Sequence, residues 1–512
     1  VDENGNYVLD ENGNKIENTD YNPYGFEIIA SNNSDNIYKL YNNGDLYAKG
    51  VKGIQLQSNS GQTVDTSKWS TFEVPSIIGG YKKIIQGSDT MFIIDNNDEL
   101  WAWGNNDDNK LGLTQTQLLE YTEREPVKLN VNSKKVYNVF SNNIKTFVVT
   151  TDNELYAMGS NSGYLLGLGY DNTISTWQKV ESITNPKAIT SMWFSRETQY
   201  TIIKKEENGV ASYYATGKFA KDVLGNGSEG TYKKFVQIWN GYTYKEDSNG
   251  NYIIDTSKPY DSNIDIDQDI KEFVSVDACA AIVLLNDNKI YSMGRCNGWS
   301  TTEDGLVENV KSVYPDDIGA NVKHIYSNGY GFIVEKINGD IYAANGVRTS
   351  VGFETTNRNL KKVELPTELM NSGIKQIYSI SKSDADSAVY YLANNGDLYA
   401  SSNTTKYFGG DIIPSGVQKV NIPKISSLYN FSDKIKHITN ETVVDTNGTE
   451  LFLGEDGKLY TIGNDAIRYG NSILQLSWKI VANNVEKVAL GVNNTIAYVS
   501  KGNVYIAGSD LR

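Results

Sequence analysis

One short pattern recurs along the whole 512-residue chain and constrains its fold more than any other feature. An aliphatic residue and an aromatic residue, often Leu-Tyr, are followed in most copies by a Gly three positions after the aromatic. The aromatic lies at positions 47, 101, 156, 214, 291, 342, 399, 460 and 505, at spacings of 45 to 77 residues. These nine copies, here called anchors, predict an array of similar supersecondary units.

Each anchor is predicted to be the second strand of a β-hairpin. Turn pairs such as Asn43-Gly44 precede six of the nine anchors, and Asn-Gly or Asp-Gly favours the positive φ angles of tight turns. A β-branched run such as 146–150 supplies the first hairpin strand. Further short strands are predicted before that run, as at 135–139, and between anchors, as at 126–129. Four short strands per unit predict an all-β propeller of four-stranded antiparallel blades, with two short helical turns near 118–121 and 367–370.

The two most complete units resemble the regulator-of-chromosome-condensation (RCC1-type) repeat. In residues 100–113 and 155–169 an aromatic-x-x-Gly anchor is followed by Asn and then by a Leu-Gly step. The resemblance covers nearly the whole chain and weakens towards the C-terminus, where Ala344-Asn345 and Ser401-Ser402 replace the anchor Gly. It implies a divergent bacterial member of this propeller family.

Two features depart from the family pattern. The Gly-x-x-His that precedes the family hairpin is missing from all nine units, and His324 and His437 lie in the preceding strand instead. The family norm is seven blades, so nine anchors mean either an enlarged ring or some units outside it. We predict one closed array over residues 1–512, because an open end would expose an unpaired sheet edge. Strands at 7–9 and 15–16 are predicted to complete a last blade with the C-terminal hairpin.

Composition excludes several classes of function. A net charge of −15, from 62 acidic and 47 basic residues, lacks the positive surface that DNA binding needs, so no nucleic-acid partner is predicted. Two His and two Cys would have to gather from distant positions to bind zinc, and we predict no metal and no cofactor. No apolar run is long enough to span a membrane. The scarcity of Cys and Met, together with loops rich in Asn, Ser and Tyr, favours an extracellular or cell-surface bacterial protein. The start at Val1 favours a piece of a longer protein.

Acidic, Asn-rich segments offer the oxygen ligands that calcium prefers. These segments are residues 2–6, 10–14, 95–99, 105–109, 247–251 and 265–269. None continues into a twelve-residue loop with a terminal Glu, so solvated turns are the favoured interpretation.

The longest anchor spacing, between Tyr214 and Tyr291, predicts an inserted hairpin at 240–263. Its Tyr, Trp, Asn and Gly residues have the composition of a binding loop, since rigid aromatics give contact area at low entropic cost. A self-packed, decorative hairpin is the equal alternative. The candidate binding residues are Trp239, Tyr242, Tyr244 and Tyr252 in this segment, and Trp69, Trp177 and Trp299 in other connections. The anchor aromatics are expected to pack between blades.

Cys279 and Cys296 flank a hairpin whose turn is predicted at 286–289. With that turn, the sequence numbers of any two residues that face each other across the hairpin add to 575. The numbers 279 and 296 also add to 575. The two cysteines would therefore lie opposite each other and within reach of a disulfide. Two buried, reduced cysteines are the equal alternative.

The chain carries no nucleophile elbow, P-loop or dinucleotide-binding motif, and no carboxylate pair stands out, so no enzymatic activity is predicted. The predicted function is a protein-binding propeller module that is secreted or surface-exposed. The alternatives are a carbohydrate-binding adhesin, whose Trp and Tyr platforms would bind a glycan, and a building block of a multimeric assembly. The family resemblance implies nucleotide exchange on chromatin for its eukaryotic branch, which the acidic charge disfavours. Its bacterial branch contains a β-lactamase inhibitor, and that implies only that such a ring can present loops to a protein.

Overall fold

A computed structural model describes most of the repeat array. The described residues are 26–30, 37–49, 70–71, 80–87, 90–121, 126–172, 174–194, 200–219, 230–238, 242–246, 248, 252–259, 270–276, 280–293, 312–313, 319–327, 331–345, 360–383, 386–402, 416–429, 449–463, 475–490, 496–501 and 503–507. All structural statements below concern these residues.

The strands of the first four blades follow one another along the chain. Blade 1 contains β1 (Phe26–Ala30), β2 (Ile37–Tyr41), β3 (Leu46–Lys49) and β4 (Ser70–Thr71). Blade 2 contains β5 (Tyr81–Gln86), β6 (Thr90–Asp95), β7 (Leu100–Gly104) and β8 (Val127–Leu129). Blade 3 contains β9 (Val136–Ser141), β10 (Lys145–Thr150), β11 (Leu155–Gly159) and β12 (Gln178–Lys179). Blade 4 contains β13 (Ile189–Phe194), β14 (Tyr200–Glu207), β15 (Val210–Phe219) and β16 (Gly230–Gln237).

A separate two-stranded hairpin of β17 (Tyr242–Glu246) and β18 (Tyr252–Pro259) precedes the remaining blades. Blade 5 contains β19 (Ile270–Val276), β20 (Ala280–Leu285), β21 (Ile290–Met293) and β22 (Ser312–Val313). Blade 6 contains β23 (Val322–Ser327), β24 (Gly331–Lys336), β25 (Ile341–Asn345) and β26 (Lys361–Lys362). Blade 7 contains β27 (Ile374–Ser383), β28 (Asp386–Ala393), β29 (Leu398–Ser402) and β30 (Gln418–Lys419). Blade 8 contains β31 (Ile425–Tyr429), β32 (Thr449–Gly454), β33 (Leu459–Gly463) and β34 (Gln475–Ala482), and blade 9 contains β35 (Val485–Leu490), β36 (Ile496–Ser500) and β37 (Asn503–Ala507).

The predicted all-β propeller of four-stranded antiparallel blades is confirmed. Eight sheets have four strands in chain order, and blade 9 has three among the described residues. All nine anchor aromatics lie in the third strand of a sheet. The anchor residues and the turns that precede them were therefore enough to identify the repeating unit.

The blades are arranged around an axis, with the first strand of each innermost. First strands of successive blades lie beside one another, as β19 does with β23 and β1 with β5. Hydrophobic clusters lie between successive blades: one joins blades 1 and 2 through Tyr38 and Trp103, and another joins blades 7 and 8 through Tyr390 and Phe452. Because each apolar face is covered by the neighbouring sheet, no blade has a complete core of its own.

The first and last blades adjoin each other. Strand β1 lies beside β35 and β36. The predicted closing strands at 7–9 and 15–16 lie outside the described residues.

Turns between second and third strands are mostly one residue longer than a two-residue hairpin. In blade 1 the Tyr41 N–H donates to the Asp45 carbonyl, and Gly44 takes the left-handed conformation at φ 89°. The Asn43 side chain accepts the Asp45 N–H at 3.0 Å. Asn at the middle position therefore caps the turn, whereas Gly supplies the positive φ.

A β-bulge recurs in the first strand of every blade from 2 to 9. One residue of the first strand is skipped in the pairing with the second strand, which turns two consecutive side chains away from the blade core. The skipped residues are Lys82, Tyr137, Thr190, Lys271, Lys323, Lys375, Ser426 and Glu486. Each bulge lies near the strand start, at the end of the ring where the second strand turns into the third.

Two short helices occupy connections, where the sequence predicted helical turns. Helix α1 (Gln115–Glu120) lies between β7 and β8, and α2 (Thr367–Ser372) lies between β26 and β27. Neither of these helices, nor any other in the described ranges, is long and apolar enough to cross a bilayer.

The predicted register of the blade 5 hairpin is wrong by one residue. Leu284 faces Ile290 and Val283 faces Tyr291, so the numbers of facing residues add to 574. The turn comprises only three residues, 286–288, because Asn288 takes the left-handed conformation at φ 63°. The arithmetic that placed Cys279 opposite Cys296 does not hold for this register, and both cysteines lie outside the described residues.

Candidate functional site

The strand directions divide the loops between two ends of the ring. One end, here called the hairpin end, carries the turns between second and third strands and the links from one blade to the next. The other, the connection end, carries the loops from first to second strands and from third to fourth strands. The loops between the third and fourth strands of blades 2 and 3 lie at the connection end, and their described residues are 105–121, 126, 160–172 and 174–177.

The Asn and Leu-Gly residues of the repeat hold these loops in a fixed conformation. The Asn106 side chain accepts the Leu111 N–H at 2.9 Å in blade 2, and the Asn161 side chain accepts the Leu166 N–H at 3.0 Å in blade 3. Asn161 also donates to the Tyr170 carbonyl at 2.6 Å. The Asn residues that carry the family resemblance therefore fix the shape of these loops.

The glycines of the Leu-Gly steps allow each loop to pack closely on the next blade. Gly112 has φ 64°, and a Cβ there would lie 2.5 Å from Trp177 Nε1. Gly167 has φ 67°, and a Cβ there would overlap the Phe235 ring. Only glycine combines the left-handed backbone with this close approach.

Further hydrogen bonds join the blade 3 loop to blade 4. The Gly169 N–H donates to the Lys233 carbonyl at 2.8 Å, and Thr216 Oγ1 donates to the Tyr164 carbonyl at 2.9 Å. The preceding loop is tied to blade 3 in the same manner, because Lys110 Nζ donates to the Asn143 carbonyl at 2.8 Å. The connection end of blades 2 to 4 is therefore a rigid platform.

Helix α1 is also fixed, although it has only six residues. The Thr114 side chain accepts the Gln117 N–H, and the Gln117 side chain accepts the Thr114 N–H, which together form a capping box. Gln117 Nε2 donates to the Lys128 carbonyl at 3.0 Å, and the Tyr121 hydroxyl donates to the Gly104 carbonyl at 2.5 Å. Both bonds hold α1 against its own blade.

This platform presents apolar side chains to solvent. Leu119 is 88% exposed and Leu118 is 38% exposed on α1, and Tyr170 is 39% exposed in the corresponding loop of the next blade. Leu118, Leu119 and Tyr170 are here called the apolar platform residues. The sequence analysis did not include them among the candidate binding residues; the signal was Leu118-Leu119 within the otherwise polar segment 114–120.

Of the predicted binding residues, Trp177 is buried. It is 3% exposed and belongs to the core cluster that joins blades 2, 3 and 4. A surface-binding role for Trp177 is therefore wrong, because the Leu-Gly step of blade 2 covers its ring. Trp69, Trp239 and Trp299 lie outside the described residues.

Tyr242, Tyr244 and Tyr252 lie in the hairpin of β17 and β18, within the predicted segment 240–263. Tyr244 faces Ile254, Glu246 faces Tyr252, and β18 lies beside β16, the outermost strand of blade 4. The chain leaves β16 at the hairpin end. The hairpin that carries these three tyrosines therefore adjoins the outer edge of blade 4.

Most anchor aromatics pack within the array, as expected. Trp101, Tyr156, Tyr291, Tyr399 and Tyr460 are buried. Tyr505 differs at 45% exposed, since no fourth strand covers it among the described residues of blade 9.

Acidic residues at the outer rim pair with lysines of the fourth strands. Glu154 contacts Lys179 of β12 and Lys134 of the preceding link, both at 2.6 Å. Hydrogen bonds from Lys134 and Lys179 lower the pKa of Glu154 to about 2. Equivalent pairs join Glu99 to Lys128, Asp340 to Lys362 and Asp397 to Lys419.

The described acidic segments are engaged in turn structure. The Asp95 carboxylate is buried and accepts the N–H groups of Asn97 and Glu99 and the Trp101 indole N–H. In the described ranges no three His, Cys, Asp or Glu side chains come together as metal ligands.

Comparison with known proteins gives matches at the level of fold. No protein-family model and no curated protein matches the chain. The solved structure of Prp20p from Saccharomyces cerevisiae, described with its binding to Gsp1p and histones, is similar at 12% identity and a TM-score of 0.40, over 94% of this chain and 91% of that one. Human WBSCR16 is similar at 12% identity and a TM-score of 0.42, over 86% and 89%.

Yeast RCC1 (Prp20) bound to Kap60 is similar at 15% identity and a TM-score of 0.39, over 86% of this chain and 84% of that one. This last structure bears the name RCC1, the name of the repeat that the anchor residues resemble.

Proposed function

We propose that the chain is a non-enzymatic propeller module that binds a protein partner at its connection end. The observation that carries the proposal is Leu119, an 88% exposed aliphatic side chain on a helix fixed by a capping box. An exposed leucine on a rigid support loses little conformational entropy on binding and gains the burial of its apolar surface. Tyr170 in the next blade extends this surface.

An extracellular or cell-surface location in a bacterium is part of the same proposal and rests on composition. A protein partner is favoured over a glycan because the exposed residues of the platform include two leucines. Glycan recognition needs aromatic faces flanked by polar side chains. The similar structure of Prp20p was described with the binding of that protein to Gsp1p and histones.

A charge substitution at Leu119 tests the proposal. Leu119→Asp is expected to weaken partner binding at least about tenfold, because a charge would be buried in an apolar contact. Ile337→Asp is the matched control, since Ile337 is 58% exposed at the hairpin end. The measurement is affinity pull-down with mass spectrometry, followed by titration of each protein that the unsubstituted chain retains.

A partner bound equally by both variants would place the binding surface elsewhere. Loss of the partner with Ile337→Asp alone would contradict the assignment to the connection end. A glycan array hit that is unaffected by Leu119→Asp would favour the carbohydrate-binding alternative.

A further inference from the structure

Asn-Gly pairs occur in four of the described turns between second and third strands. They lie in blades 1, 4, 6 and 7, at residues 43–44, 208–209, 338–339 and 395–396. In an Asn-Gly pair the asparagine side chain reacts readily with the backbone, because glycine has no Cβ to shield the following nitrogen. The four pairs share this chemistry, so differences in their reactivity depend on the turn that holds each pair.

Three of these turns fix the asparagine side chain at both of its polar atoms. An Asp follows the Asn-Gly pair in blades 1, 6 and 7. The Asn Nδ2 group donates to the carboxylate of that Asp at 2.8 to 3.1 Å, in the pairs Asn43 with Asp45, Asn338 with Asp340 and Asn395 with Asp397. The Asn side-chain oxygen accepts the N–H of the same Asp at 3.0 Å in each turn. Both bonds must break before the side chain can rotate.

The glycine N–H groups of the same three turns are also engaged. Each donates to the carbonyl three residues earlier, at 2.9 Å for Gly44 and at 3.0 Å for Gly339 and Gly396. Gly44 and Gly396 are buried as well. A backbone nitrogen must lose its proton before it can attack the side chain, and its hydrogen bond opposes that loss.

The blade 4 turn holds its Asn-Gly pair differently. Glu207 faces Val210 across a two-residue turn, in which Asn208 and Gly209 take the left-handed conformation at φ 54° and 80°. Valine follows the pair, so the turn lacks the Asp of the other three. Both turn residues are exposed, and neither the Asn208 side chain nor the Gly209 N–H has a hydrogen-bond partner among the described residues. The reacting groups are therefore free to approach each other.

We propose that Asn208 is a site of spontaneous deamidation and the most reactive of these four asparagines. The Gly209 nitrogen gives its proton to hydroxide and forms a bond to the Asn208 side-chain carbon. The bond from that carbon to Nδ2 breaks, and the nitrogen takes a proton from water and leaves as ammonia. A five-membered succinimide remains. Water then opens the ring at either of its carbonyl groups, which yields isoaspartate or aspartate.

The reaction changes both the charge and the backbone of this turn. It replaces a neutral amide by a carboxylate beside Glu207, which already accepts a hydrogen bond from Asn185 and contacts Lys205 at 3.1 Å. Isoaspartate also adds a methylene group to the main chain of a turn that has only two residues. The turn belongs to the hairpin end, away from the apolar platform residues, so the inference goes beyond the proposed function.

The test follows the four Asn-Gly pairs of the full chain by peptide mapping with mass spectrometry, during incubation in mildly alkaline buffer. Asn208 is expected to deamidate at least about tenfold faster than the asparagines of the other three turns, because those must first lose several hydrogen bonds. Isoaspartate and aspartate are both expected, since ring opening gives both. Incubation in guanidinium chloride is the control, and the four rates should be similar once the turns are unfolded.

Two variants test the reason for the difference. Gly209→Ala is expected to slow the reaction of Asn208 to the rate of the other three asparagines or below, because the methyl group hinders the attacking nitrogen. Asp45→Ala removes the carboxylate that holds the Asn43 amide, and it should raise the rate at Asn43 about threefold and leave Asn208 unchanged. Equal rates at the four pairs in the folded chain would overturn the proposal, as would the same preference for Asn208 in the unfolded chain. Aspartate without isoaspartate at Asn208 would contradict the succinimide route.

Discussion

Asn106 and Asn161 illustrate how single polar side chains are committed to structure in this array. Each accepts a backbone N–H five residues later and so fixes a connection whose own backbone has few regular hydrogen bonds. The recurrence of Asn at this position in blades 2 and 3 is therefore explained by its role in fixing the loop. Exposed residues that do not repeat, such as Leu119, are better candidates for contacts with a partner.

Gly159 is expected to be irreplaceable for steric reasons. It has φ 107°, and a Cβ there would overlap the Ile144 carbonyl oxygen. Gly159→Ala should lower the free energy of unfolding by about 2 to 4 kcal/mol. Gly209→Ala is the control: φ is 80°, but no atom lies within 4 Å of the added carbon, so about 1 kcal/mol is expected. Urea denaturation of both variants measures the difference, and equal losses would contradict the steric argument.

His324 should make stability depend on pH near neutrality. Its hydrogen bond with Glu272 of the preceding blade raises the pKa of His324, despite the opposing effect of desolvation. The charged pair of His324 and Glu272 therefore stabilises the folded state fully at a pH below about 6.5, the pKa of His324 in the unfolded chain. This stabilisation is lost as the pH rises through the higher pKa that His324 has in the folded chain. Because the His324 side chain is 43% exposed, the contribution is about 0.5 kcal/mol.

The measurement is the unfolding midpoint between pH 5 and pH 9 for the unsubstituted chain and for His324→Gln. The unfolding midpoint of the unsubstituted chain should exceed that of His324→Gln most at pH 5, and the difference should decline as the pH rises. Glu335 and Lys323 also act on this imidazole, so Lys323→Gln should raise its pKa further. A constant difference across the range would contradict the pair's role.

At the scale of elements, the fourth strands are short and depend on side chains for attachment. β12 has two residues, Gln178 and Lys179, and Lys179 is tied to Glu154 of β11's turn as well as paired with Tyr156. The same Lys-to-carboxylate contact recurs in blades 2, 6 and 7. In blades 2, 3, 6 and 7 the lysine of the fourth strand therefore ties that strand to the rest of the blade.

Glu154→Gln is expected to lower the unfolding midpoint by about 1 to 3 °C at pH 7. The pKa of Glu154 is lowered to about 2 by Lys134 and Lys179, so its contribution is present above the unfolded value of about 4.5 and is lost as pH falls towards 2. The difference from the unsubstituted chain should therefore vanish near pH 2. Glu120→Gln, at the exposed end of α1, is the control and should have no effect at either pH.

At the scale of the whole molecule, each blade depends on its neighbours for burial. Leu451 and Leu459 of blade 8 share a cluster with Val485 and Ile496 of blade 9, and β1 lies beside β35 and β36. The ninth, three-stranded sheet thus covers two other blades. Its loss would expose apolar surface on both sides.

Deleting residues 485–507 is expected to lower the unfolding midpoint by more than about 5 °C, whereas deleting the hairpin residues 242–259 should lower it by less than about 2 °C. The hairpin makes a sheet of its own and adjoins only the outer strand β16 among the strongest described contacts. Differential scanning calorimetry compares the two deletions. A larger loss from the hairpin deletion would show that ring contacts do not dominate stability.

The sequence alone determined the strand unit, its nine anchors and the two helical turns, because those signals are local. Tight-turn residues, alternating apolar positions and the aromatic at each anchor act within about 20 residues and need no neighbouring blade. The structural role of the anchor aromatics followed from the same local regularity.

Only the tertiary structure decided burial, register and the places of the β-bulges. Trp177 is buried and Leu119 exposed because the neighbouring Leu-Gly step covers one and nothing described covers the other. The blade 5 register depends on the left-handed conformation of Asn288, which no residue type dictates uniquely. The bulges of eight first strands lie at equivalent places in their blades, which positions roughly 50 residues apart in sequence do not reveal.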